Sequence, residues 1–193
     1  MILQNYYKLK LPFTKDDILI DDNILSKEYS SHSAIINLIP EEALSKNVLN
    51  FFKDNNLTKL KVVLFNCPPN FKSQIHIDGH DKLLRSFAIN IPWGSSNSVM
   101  TWYKTVGSKS PTPNLTMARN PYMYFDEDTV EVIDSTSVNS ITMVRTDIPH
   151  SIENLDKINA RWCVSIRTND ISNWIIAAIR LKEYLEINNH ETY

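Results

Sequence analysis

Glycine is scarce in this chain. Gly79, Gly94 and Gly107 are the only three in 193 residues, and none sits in a glycine-rich loop able to cradle phosphates, which disfavours nucleotide-binding folds. Cysteine is scarcer still. Cys67 and Cys163 lie far apart and outside any Cys-x-x-Cys spacing, against both a zinc ribbon and a secreted disulfide framework, and in favour of a reducing compartment. No uninterrupted apolar run approaches the roughly eighteen residues of a membrane span, and Met1-Ile-Leu-Gln-Asn-Tyr-Tyr-Lys8 lacks the charged start and apolar stretch of a signal peptide. A cytoplasmic protein without membrane attachment is the expectation. Charge of one sign is missing too: 20 Lys and Arg stand against 22 Asp and Glu, a formal net charge of -2. That offers a polyanion no general attraction, so a nucleic-acid partner is disfavoured.

What is present is an ordinary globular composition, 42% hydrophobic, 22% charged and 10% aromatic, enough for one domain with a sizeable core. Short β-rich runs recur at hairpin spacing. Lys59–Phe65 ends at Cys67-Pro-Pro-Asn70. Arg85–Ile91 is expected to stop at Pro92-Trp-Gly94. Ser98–Tyr103 precedes a loop from Lys104 to Asn120 containing Pro111 and Pro113. Tyr122–Phe125 and Val130–Ile133 flank a solvated acidic turn, Asp126-Glu-Asp128, and Ser140–Arg145 and Ala160–Thr168 complete the series. Helices bracket these strands. Pro40-Glu-Glu42 opens one in which Ala43, Leu44, Val48, Phe51 and Phe52 recur at helical spacing, and Ser172 caps another over about 173–186 whose Ile175, Ile176, Ile179 and Leu185 suit packing on a sheet. The pattern predicts a mainly β protein with flanking helices, a double-stranded β-helix or jelly-roll barrel over about 59–170, an N-terminal α/β extension over 1–58 and a C-terminal helix over about 172–187.

Within Gln74-Ile-His-Ile-Asp-Gly79, strand alternation sends His76 and Asp78 to one face and Ile75 and Ile77 to the other. His150 follows 74 residues later in Asp147-Ile-Pro-His150. Two imidazoles and one carboxylate on one side of an ion, with the opposite positions open, suit Fe(II) that must also hold a co-substrate and dioxygen. Eleven residues beyond His150, in Arg161-Trp-Cys-Val-Ser-Ile-Arg167, alternation gives one face Arg161, Cys163, Ser165 and Arg167 and the other Trp162, Val164 and Ile166. A cation inside a barrel is expensive to bury unless an anion meets it, and the candidate anion is a ligand. His80 would share the face of His76 if the strand ran on, but Gly79 is expected to break it. Asn90 is a candidate pocket residue, and Trp93 is better explained as core filling.

In this order of residues the chain resembles the Fe(II)/2-oxoglutarate-dependent dioxygenases, over roughly 60–170. The resemblance implies a double-stranded β-helix in which His76, Asp78 and His150 hold Fe(II), Arg161 pairs with the distal carboxylate of 2-oxoglutarate, and Ser165 adds a hydrogen bond. It also implies hydroxylation of a substrate, consuming O2 and releasing succinate and CO2. Arg85, nine residues after His76, has a counterpart in the aspartyl/asparaginyl β-hydroxylase group, whose pattern lacks an Asp ligand; it is a further candidate for co-substrate binding. Two other readings stay open: a cupin-like metalloprotein working without 2-oxoglutarate, and a catalytically silent barrel used as a binding module. The substrate, whether a protein side chain, a free amino acid or a small metabolite, is not specified. The N-terminal 55 residues and the 104–120 loop are where its contacts are expected.

Overall fold

A computed structural model describes residues 4–25, 34–79, 86–116, 118–171 and 173–186. Twelve strands and four α-helices follow in chain order: β1 (Tyr6–Lys8), α1 (Asp22–Leu25), β2 (Ala34–Leu38), α2 (Pro40–Ala43), α3 (Lys46–Asp54), β3 (Leu60–Cys67), β4 (Ile75–Asp78), β5 (Phe87–Gly94), β6 (Ser98–Thr105), β7 (Thr112–Leu115), β8 (Pro121–Phe125), β9 (Val130–Ser137), β10 (Thr142–Arg145), β11 (His150–Asn154), β12 (Arg161–Thr168) and α4 (Trp174–Arg180). They form two six-stranded antiparallel sheets, ordered β1-β10-β5-β12-β3-β2 and β7-β8-β4-β11-β6-β9. From β3 to β6 and again from β9 to β12 the chain crosses between the sheets at every step, so β3, β5, β10 and β12 face β4, β6, β9 and β11. This is the double-stranded β-helix. The β7–β8 hairpin widens the second sheet, and β1 and β2 widen the first.

Alternation divides the first sheet into a helix side and an inner side. Val62, Leu64, Ile89, Ile91, Val164 and Ile166 turn outward into one large core with Val48, Phe51, Phe52, Trp174 and Leu181. The space between the sheets holds a smaller apolar cluster of Ala88, Met100, Trp102, Val138 and Val144. The remainder of that space is a cavity lined by polar side chains together with Ile35, Phe65, Phe71 and Ile152. On the outside of the second sheet Ile75 and Ile77 pack with Tyr103 and Phe125, as the period-two reading of β4 requires.

Several expectations are corrected. The strand expected to stop at Pro92 continues to Gly94 and stays paired with β12, Pro92 opposite Cys163. Pro92 lies beyond Asn90, the last residue paired with β10, and the free side of a strand tolerates a missing N–H. Pro113 likewise falls within a strand, not a loop, because β7 is an edge. The C-terminal helix is shorter than expected, seven residues followed by a 3-10 turn at Lys182–Tyr184. Its buried face is Trp174, Ala177, Ala178 and Leu181, leaving Ile175, Ile176 and Ile179 about half exposed (45%, 47% and 52%). Two alanines allow close approach to the sheet, and the bulkier isoleucines are displaced to the flank. The Asn173 side chain caps this helix by accepting from the N–H groups of Ile175 and Ile176; Ser172 lies outside the described residues. The helix opened by Pro40 is in two pieces, because the Ser45 side chain accepts from Val48 N–H and starts α3 afresh.

Gly94 has φ +90°, and a Cβ there would run into the carbonyl oxygen of Ala160, which already accepts from Ser95 N–H. Gly94→Ala should therefore destabilise by more than the roughly 1–2 kcal/mol of left-handed backbone alone. Gly107, with φ +75° and open space around it, should cost only that backbone term when changed to alanine. Urea midpoints of the two variants check the ordering.

Candidate metal centre and anion pocket

His76 and Asp78 project from β4 into the space between the sheets, and His150 opens β11 directly opposite His76. The two imidazole centroids are 4.4 Å apart, and the rings are tilted by 51°. Each ring is aimed by the same local device. The Nδ1 atoms lie 2.8 Å from the Gln74 carbonyl oxygen and 2.9 Å from the Ile148 carbonyl oxygen, each two residues upstream. A carbonyl can only accept, so Nδ1 carries the proton and the Nε2 lone pair is left for a ligand. Nε2 of His76 is 4.0 Å from Asp78 Oδ1, and one donor atom from each of the three residues falls within 4.8 Å of the others. The second carboxylate oxygen, Oδ2, lies 2.8 Å from Arg167 Nη2 in a largely buried ion pair. Burial, with a smaller contribution from the neighbouring His76, lowers the His150 pKa to about 3, so its imidazole is the neutral form that metal coordination needs.

The supports are extensive. Trp102, fully buried and opposite His150 on β6, donates from Nε1 to the Arg145 carbonyl at 2.9 Å and stacks on Tyr6. The turn into His150 is tied by Arg145 Nε to Asp147 Oδ1 at 2.8 Å and by Tyr103 N–H to the Pro149 carbonyl. At the other end of β11 the Asn154 amide donates to the carbonyls of Cys67, Pro68 and Asn159, fastening the end of β3 beside the start of β12. Gly79, at φ +87°, ends β4 immediately after Asp78, as expected of it.

Facing the triad across a cavity of about 130 Å³ is the inner side of β12, with Arg161, Cys163, Ser165 and Arg167 all in its wall. Arg161 is 3% exposed. It lies against the thiols of Cys67 and Cys163, both pushed up by burial and therefore uncharged, and no carboxylate pairs with it among the described residues. Its Nε has no hydrogen-bond partner, nor do Ser165 Oγ, Asn90 Oδ1 and Asn66 Oδ1, all buried in the same wall. Ser165 and Asn90 are cross-strand partners. Buried polar atoms are rarely left unpaired, and a cluster with an uncompensated guanidinium fits an anionic ligand carrying several acceptors.

The β7–β8 hairpin supplies the rim. Tyr122 and Tyr124 oppose Asp78 and His76 in register and share their face, with the Tyr122 ring edge-on to His76 at 5.9 Å. The hairpin turn reaches back to the first sheet, where Asn37 bonds Ala118 and Asn120, and Lys61 bonds Asn120. The expected loop thus contributes one strand of a β-hairpin beside the ligand set. Trp93 packs on the helix side of the first sheet, whereas Asn90 does line the cavity. Sequence reasoning missed Asn66, the two tyrosines and the Asp78–Arg167 pair; the Tyr-Met-Tyr alternation of β8 was the available signal for the tyrosines. Arg85 and His80 lie outside the described residues.

No family model matches the chain, and no curated protein matches it. Among solved structures it is similar to the cysteine peptidase Peruvianin-I from Thevetia peruviana latex (11% identity, 89% of this chain and 93% of that one, TM-score 0.36). It is also similar to an oxalate oxidase (15%, 86% and 75%, TM-score 0.33) and to a viral collagen prolyl hydroxylase from Paramecium Bursaria Chlorella virus-1 (10%, 86% and 97%, TM-score 0.35). These distant likenesses leave the chemistry to the site itself. No helix among the described residues is long and apolar enough to cross a membrane.

Proposed function

We propose that this protein is an Fe(II)- and 2-oxoglutarate-dependent oxygenase that hydroxylates its substrate. The observation that carries the reading is the pairing, in one cavity, of a His-Asp-His donor set with a buried, uncompensated arginine. The donor set fits ferrous iron: two imidazoles with Nε2 available and one carboxylate, all from one sheet, leave the side facing β12 open. Ferrous iron and 2-oxoglutarate together supply the chemistry, coupling reduction of O2 and decarboxylation of the co-substrate to C–H hydroxylation, with succinate and CO2 as co-products.

The chain's own residues do the rest. Nε2 of His76, Nε2 of His150 and Oδ1 of Asp78 hold the ion, while the Gln74 and Ile148 carbonyls keep the rings from turning. Arg161 meets the distal carboxylate of 2-oxoglutarate, and Ser165 and Asn90 lie close along the same wall to bond the diacid. Ala88, Met100, Val144 and Ile152 add apolar surface to the cavity lining, and a less polar surrounding strengthens charge interactions. A cupin without 2-oxoglutarate gives Arg161 no anion.

The reading is tested by adding 2-oxoglutarate to the anaerobic Fe(II)-loaded protein. A visible charge-transfer band of the chelate is expected, and no substrate is needed. A protein that binds Fe(II) tightly yet shows no such band, and no calorimetric heat with 2-oxoglutarate, would overturn it.

A further inference from the structure

We infer that the substrate presents a carboxylate to Arg167. The inference rests on the co-substrate reading above and extends it to the substrate. Its basis is charge. Among the described residues the cavity wall contains two guanidiniums, Arg161 and Arg167, and a single carboxylate, Asp78. With the imidazoles counted as neutral ligands, the wall carries a surplus of one positive charge. A divalent ion and a dianionic co-substrate cancel each other and leave that surplus in place. With Arg161 matched by the co-substrate and Asp78 shared between the ion and Arg167, the surplus falls on Arg167.

Holding Asp78 does not exhaust Arg167. That ion pair runs through Nη2, and Nε of Arg167 is buried with no hydrogen-bond partner. The residue is only 8% exposed, and its guanidinium lies 5.9 Å over the Phe65 ring, which holds it in place without supplying a counter-anion. Arg161 serves the other end of the cavity. The two residues are six positions apart on β12, roughly 20 Å of extended strand, so a co-substrate clamped by Arg161 leaves Arg167 to another ligand. Lys61 adds a second cation to this end: it is the cross-strand partner of Arg167 and shares its face, with its ammonium bonded to Asn120 of the hairpin turn. An anion entering beside the β7–β8 hairpin therefore meets Arg167 beside a metal ligand, with Lys61 on the adjacent strand. A planar carboxylate suits the donor geometry of a guanidinium.

The test is anaerobic calorimetry on the full chain at saturating Fe(II) and 2-oxoglutarate, titrating a panel of N-acetyl amino acids against the corresponding carboxamides. Carboxylates are expected to bind and the matched amides to bind at least tenfold more weakly. Arg167→Gln, which keeps an amide donor for Asp78, should weaken carboxylate binding on the order of 30-fold or more and erase the preference, while Arg167→Lys should retain part of it. The affinity of 2-oxoglutarate should stay within a few-fold in both variants. A wild-type protein that binds the metal but not 2-oxoglutarate would overturn the functional reading beneath the inference. One that binds both and shows no preference for carboxylates, or an Arg167→Gln protein that loses 2-oxoglutarate instead, would overturn the inference alone.

Discussion

Fe(II) affinity should fall by more than about 100-fold in His76→Ala, in Asp78→Ala and in His150→Ala, because each removes a direct ligand, and loss of outer-shell partners alone costs roughly 10–100-fold. The three variants should differ in stability. Tyr122 and solvent border His76, which is partly exposed, so its truncation costs little. His150 is 5% exposed and packed in front of Trp102, so alanine there leaves a cavity. Asp78→Ala does most damage, since it strands the Arg167 guanidinium; breaking a buried pair from one side costs about 3–5 kcal/mol, and the slight exposure of both partners, 10% and 12%, puts this case at the lower end. Asp78→Asn separates the two consequences. Its amide oxygen can still accept from Arg167, so the fold should survive while the anionic ligand is lost. Anaerobic calorimetry with Fe(II) and thermal melts of the four variants check this, and metal affinity unchanged in any of the alanine variants would remove that residue from the ligand set.

Much of this site is legible in the chain because strand alternation is a strict rule. The Ile-His-Ile-Asp order of β4 and the Arg-Trp-Cys-Val-Ser-Ile-Arg order of β12 each assign faces without any knowledge of partners. The structure keeps both assignments. What alternation cannot supply is which inner residues meet across the barrel. The Asp78–Arg167 pair joins strands of different sheets, 89 positions apart, and is set by how the two sheets stack. Asn66 and Cys67 beside Arg161 depend likewise on β3 pairing with β12. Helix periodicity proved less reliable than strand alternation, because Ile175, Ile176 and Ile179 carry the hydrophobic signal while the smaller Ala177 and Ala178 make the contact. Proline was misleading wherever a strand had a free side, as at Pro92 and Pro113. The scarcity of glycine was informative in two places: Gly79 ends β4 after its second ligand, and Gly94 lets β5 pass the Ala160 carbonyl.

Arg161→Ala should leave Fe(II) binding near its wild-type strength and raise the dissociation constant of 2-oxoglutarate steeply. The guanidinium is not among the ligand atoms, so the metal affinity has no reason to change. It is, however, the cation at its end of the cavity, and both neighbouring thiols are uncharged, so nothing else there can balance a carboxylate. Losing a charge-assisted pair in a desolvated site costs roughly 2–5 kcal/mol, or on the order of 30-fold to several thousand-fold in affinity. Ser165→Ala should cost less, roughly 1.5–3 kcal/mol for one neutral hydroxyl on a charged acceptor. The apo protein should respond in the opposite sense. A buried cation without a counter-charge is a burden on the fold, so Arg161→Ala should melt no lower than wild type in the absence of co-substrate, and should gain much less from adding it, since a ligand stabilises only in proportion to its occupancy. Titration of 2-oxoglutarate into the anaerobic Fe(II)-loaded proteins, with melts taken with and without it, measures both effects. An unchanged 2-oxoglutarate affinity in Arg161→Ala would sink the co-substrate reading and favour a metalloprotein of the same barrel that uses no 2-oxoglutarate.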